Sequence, residues 1–142
     1  MRNYRDLAVW HKAHALTLAV YKATKAFPQS EIYGLTSQIR RASSSIAANI
    51  AEGCGLGSVA ELRKHCQIAM GSAAELDYHL LLSHDLGYLG EAAYRELAEL
   101  TVEVQKMLSS FIVRLREPTR SQEYQNGGSS EAIVSDDIAG LQ

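Results

Sequence analysis

Apolar residues recur at steps of three and four along four successive segments of this sequence, and that spacing leaves room for little except α-helix. In the first segment, about residues 6–27, the stripe is Val9, Ala13, Leu16, Val20, Ala23 and Phe27, closed by Pro28. Proline biases the residue before it out of the helical region and so ends the run. The second, about 33–53, carries Leu35, Ile39, Ala42, Ile46, Ile50 and Gly53. "EGCGLGS" then supplies three glycines for a reversal, with Cys54 expected in a turn where solvent reaches it. Ser58 and Glu61 have the spacing of a capping box, and the third stripe follows as Leu62, Cys66, Ala69, Ala73, Leu76 and Leu80 over about 58–86. After the "GYLG" turn the fourth, about 91–116, runs Ala93, Leu97, Leu100, Val104, Leu108, Phe111 and Leu115. Four amphipathic helices with short connections predict an all-α, antiparallel up-down four-helix bundle over residues 1–117.

Beyond Pro118 the pattern stops. "TRSQEYQNGGSSEAIVSDDIAGLQ" is polar and punctuated by Gly and Ser, which predicts a flexible tail over 118–142. Val134, Ile138 and Leu141 fall on one face if that stretch turns helical.

Charge divides the chain as well. Residues 1–65 hold nine Lys/Arg against four Asp/Glu; residues 66–142 hold five against twelve, so a net of +5 faces a net of −7. The overall charge of −2 excludes a generally basic protein, while the asymmetry suits an anionic partner on one surface or the orientation of subunits. Two cysteines without Cys-x-x-Cys spacing point to reduced thiols. No apolar leader and no stretch of about 20 uncharged apolar residues is present, so a cytoplasmic protein is expected, with no membrane partner.

Catalytic and metal-ligating patterns are sparse. The Glu-x-x-His motif of di-iron bundles does not occur. His11 and His14 are two histidines without further ligands, and Glu75 with His79 has the spacing of a surface pair. His65 is expected to face away from Cys66, and His84 to be a partly buried histidine. "GCGLGS" lacks the lysine of a phosphate loop. The expectation is therefore no enzyme, no metal, no cofactor and no small-molecule substrate.

Two features point to association. In the second helix, Gln38, Arg41, Ser45, Asn49 and Glu52 form a polar strip beside the core stripe, among small residues that let another helix approach. On the third, Ile68, Leu82 and Leu86 form an apolar line away from the core stripe, which suggests a subunit contact.

The stretches "FPQSEIYGLTSQIRRASSSIAANIAEG" and "IAMGSAAELDYHLLLSHDLGYL" carry a further signal. With Trp10 in the first helix, they closely resemble the bacterial four-helix-bundle proteins encoded in ribosomal-RNA intervening sequences, over about residues 4–116. A related branch is the accessory protein of diversity-generating retroelements, which partners a reverse transcriptase and nucleic acid. The resemblance implies a bundle assembled as a ring-like homopentamer, without known catalytic activity. This chain departs from the family after "AEG": basic residues are common there, whereas here Leu56, Val59 and Ala60 stand in "CGLGSVAEL". Two roles remain open. One is a homo-oligomeric scaffold whose polar strip pairs within or between subunits; the other is an RNA- or DNA-binding ring in which Arg40, Arg41, Arg63 and Lys64 meet phosphate.

Overall fold

The computed structural model describes residues 2–116; the tail expected over 118–142 lies outside the described residues. Four α-helices follow one another: α1 (Ala8–Thr24), α2 (Leu35–Gly55), α3 (Val59–Asp85) and α4 (Glu91–Arg116), with single 3₁₀ turns at Tyr4–Asp6 and Gln29–Glu31. No strand occurs among the described residues. Each helix packs on the next and α4 closes back on α1, giving a four-sided bundle.

The core is built from the stripes. Leu16 and Val20 of α1, Ile39, Ile46 and Ile50 of α2, Cys66, Leu76 and Leu80 of α3, and Val104 and Leu108 of α4 are all fully buried. Near-complete burial of a Leu or Ile is worth about 1.5–3 kcal/mol, so these positions dominate the driving force for folding.

Three details differ from the periodicity. First, α1 ends at Thr24, and Thr24 takes the core position next to Ala23, which is only half-buried. Its hydroxyl donates to Val20 O at 2.8 Å, so the polar atom is satisfied without solvent. Phe27, outside the helix, still reaches the core and packs on Tyr88 with ring centroids 5.7 Å apart.

Second, α2 does not stop at Gly53. It continues through Gly53, Cys54 and Gly55, and Cys54 is buried rather than exposed. The reversal falls on Gly57, whose φ of +80° is a left-handed conformation that costs glycine little. Ser58 Oγ then accepts from Glu61 N at 3.1 Å and starts α3.

Third, α2 begins without a Ser, Thr, Asp or Asn cap. Gly34 occupies that position, and the Glu31 carboxylate accepts from Leu35 N at 2.9 Å. A negative charge there also complements the helix dipole.

Candidate interaction surface

The polar strip of α2 is a seam against α3. Ser45 Oγ and Ser72 Oγ share a hydrogen bond of 2.8 Å. Asn49 Nδ2 donates to Ser45 O at 2.8 Å and to its Oγ at 3.0 Å. The amide oxygen of Asn49 lies 3.3 Å from His65 Nδ1; because that oxygen only accepts, the bond requires a proton on Nδ1. Glu52 and Glu61 flank the imidazole at 3.9 and 4.0 Å. His65 therefore faces the α2 strip, and its place there corrects the outward orientation expected from its neighbour Cys66. Sequence spacing within α3 gives no sign of it, since the partner is on another helix.

Below this ladder the two backbones nearly touch. A Cβ at Gly53 would lie 2.9 Å from His65 Cβ and 3.1 Å from Leu62 Cα, so only glycine fits without displacement. Gln38 and Arg41, at the other end of the strip, are exposed. The strip is thus split: Ser45, Asn49 and Glu52 meet α3 of the same chain, while Gln38 and Arg41 remain on the surface.

The adjacent arginines part company. Arg40 turns to α1, donating from Nε to Thr24 Oγ1 at 2.8 Å with its guanidinium 4.9 Å from the Tyr21 ring centre. Its other nitrogens, and the side chains of Arg41, Arg63 and Lys64, have no partner among the described residues. These four residues do not form one cluster. Gly53 is level with Leu62 and His65, so Arg41, twelve residues up α2, is about 18 Å along the bundle from Arg63 and Lys64.

On α3, Ile68 and Leu86 are 45% and 51% exposed, as the subunit-contact reading requires. Leu82 departs from it in part: it is half-buried and packs against the core of its own chain. Tyr78, 59% exposed, and Gly71 extend the outer face, giving a row Ile68, Gly71, Glu75, Tyr78, Leu82 and, at the helix cap, Leu86, which is apolar except for the exposed Glu75. A Cβ at Gly71 would meet nothing within 4 Å.

Burial pushes the Cys66 thiol up to about 12 and raises Cys54 as well. A thiol held protonated is a poor nucleophile and a poor metal ligand. His79 is buried, not on the surface, with Nε2 3.2 Å from Glu75 Oε1 and an unpartnered Nδ1. His84, partly buried as expected, stacks on Tyr94 and contacts Leu89 O and Glu91. His14 stacks on Trp10 and His11 meets Arg5 O. Among the described residues no group of three His, Cys, Asp or Glu is placed to hold a metal ion. No described helix is long and apolar enough to cross a membrane.

This bundle and these motifs match a known family. The model of the 23S rRNA-intervening sequence protein family covers residues 5–110. The chain belongs to that family. Among solved structures, a protein of unknown function from the S23 ribosomal protein family of Bacteroides thetaiotaomicron VPI-5482 is similar. It shares 26% identity with a TM-score of 0.67, over 73% of this chain and 94% of that one. The functionally curated proteins give no match.

In this chain, the motif residues that sequence alone could not explain make contacts between elements. Glu31 caps α2, Arg40 ties α2 to α1, and Asn49 with Gly53 joins α2 to α3. None of these contacts requires a substrate.

Proposed function

We propose that this 23S rRNA-intervening sequence protein is a non-catalytic homo-oligomeric scaffold, assembled as a ring of five copies through the outer face of α3. The observation that carries this reading is Gly71. A glycine inside a helix costs about 1 kcal/mol relative to alanine, and nothing among the described residues fills the space it leaves. Close approach of a second helix is a use for it, and Ile68, Tyr78 and Leu86 supply apolar area on the same side. The test is light scattering on purified protein, native and Ile68→Glu/Leu86→Glu. An assembly that the double substitution dissociates, with helicity kept, supports the reading; a native monomer at micromolar concentration overturns it.

A second reading, binding of RNA or DNA, is favoured by Arg41, Arg63 and Lys64, which have no ion pair among the described residues. Five-fold repetition would multiply modest contacts. Affinity for structured RNA should fall with salt and with Arg63→Ala plus Lys64→Ala. No binding at low salt rejects it.

A further inference from the structure

The α1–α2 side of the bundle holds a groove unlike the rest of the surface. It is lined by Tyr21 of α1, Ile32 of the connecting turn, and Thr36, Ser37, Arg40 and Arg41 of α2. Beneath its wall the Thr36 hydroxyl is buried, without a hydrogen-bond partner among the described residues, an arrangement that costs about 1–3 kcal/mol. Arg40 has nitrogens to spare after bonding Thr24, and Arg41 is unpaired among the described residues. Apolar surface adjoins the cations: Tyr21 and Ile32 are each 42% exposed and Tyr33 is 96% exposed. Lys22 and Lys25 stand on the same end of α1, and the one nearby carboxylate, Glu31, is engaged on Leu35 N. The groove therefore asks for a ligand with carboxylates beside branched apolar side chains.

The chain carries such a ligand. From residue 121 onward it has four carboxylates, Glu123, Glu131, Asp136 and Asp137, and no lysine or arginine. In "EAIVSDDIAGLQ", helical spacing would put Val134, Ile138 and Leu141 on one face with Asp137 at its border and Asp136 opposite. We infer that residues 131–142 dock in the α1–α2 groove of their own chain, with Val134 and Ile138 against Tyr21 and Ile32, Asp137 at the edge of that contact beside Arg41, and Asp136 adding to the charge that draws the segment to the arginines. Reach permits it. α4 ends beside the end of α2, so Arg40 stands about 22 Å up the bundle, and two helix spacings of 8–10 Å add the lateral distance. The fourteen residues 117–130 span up to about 46 Å when extended. Partly buried ion pairs and apolar contact then replace water over this cationic and partly apolar patch.

The test uses the full chain with a nitroxide on Ala139→Cys. Cys54 and Cys66 are buried, and native protein treated with the same reagent controls for any labelling of them. Chains carrying both ¹⁵N and the label are diluted tenfold into unlabelled native protein, so that broadening reports contacts within one chain. The amide signals of Ser37, Arg41 and Ser44 should lose at least about two-thirds of their intensity. Asp136→Lys with Asp137→Lys should restore them, and adding Arg41→Glu to that variant should bring the broadening back. Undiminished signals at these three residues in the native background, or broadening that ignores the charge reversal, overturn the inference. The outcome is separable from the scaffold reading, because light scattering reports assembly whether or not the tail is docked.

Discussion

Gly53 and Gly71 are two helical glycines, and they answer to different constraints. At Gly53 the α2–α3 seam leaves no room for a methyl group, and around it hydrogen bonds pair Ser45, Asn49, His65 and Ser72. At Gly71, on the outside of α3, a methyl group meets nothing. The first glycine is required by the fold of one chain. The second has no packing role among the described residues, and the apolar residues beside it are exposed there. A surface that is paid for within the chain and one that is not are distinguishable before any partner is known.

The comparison is sharpest where bulk is added to the seam. Gly53→Val should destabilise the protein by about 3 kcal/mol despite valine's better helix propensity, because Leu62 Cα is backbone and cannot step aside; the midpoint of urea unfolding reports it. Next comes the thiol at the same end of the core. The unfolded chain releases the Cys66 proton near pH 9, whereas the folded chain holds it to about 12. Since the folded value is the raised one, the stability is intact below pH 9 and lost as pH rises through that window, at up to about 1.4 kcal/mol per pH unit. Native protein should show this component of the pH slope in denaturant titrations and Cys66→Ala should not.

Asn49→Ala removes the bridge between Ser45 and His65 and should cost about 1 kcal/mol. The smallest effect carries the most information. Gly71→Ala should raise the stability of the separated chain by up to about 1 kcal/mol while weakening assembly, seen as a lower mass in light scattering and a shallower dependence of Tm on protein concentration. A variant that is stabilised with its assembly unchanged would show that Gly71 has no partner.

Much of the bundle was legible in the spacing of apolar residues. Ile39, Ile46 and Ile50, or Leu76 and Leu80, are buried because their helix turns them inward every three or four residues. Contacts between helices were less accessible. That Glu31 caps Leu35, that Arg40 and Arg41 diverge, and that His65 joins the α2 strip depend on where neighbouring helices pass, which periodicity does not encode. The extension of α2 through Cys54 was missed for a related reason: glycines read locally as breakers, but Gly53 is kept for close packing. Leu82 shows the same limit, since its outward helical position is offset by contact with the core of its own chain.

The carboxylate of Glu31 on Leu35 N has a consequence for motion. The first amides of a helix ordinarily exchange with solvent quickly, as they lack partners within the helix. Here the Leu35 amide is held by a side chain of the preceding 3₁₀ turn, so the loop and the first turn of α2 open together or not at all. Slow deuterium uptake at Leu35, matched to that of the loop, is the signature of this shared opening.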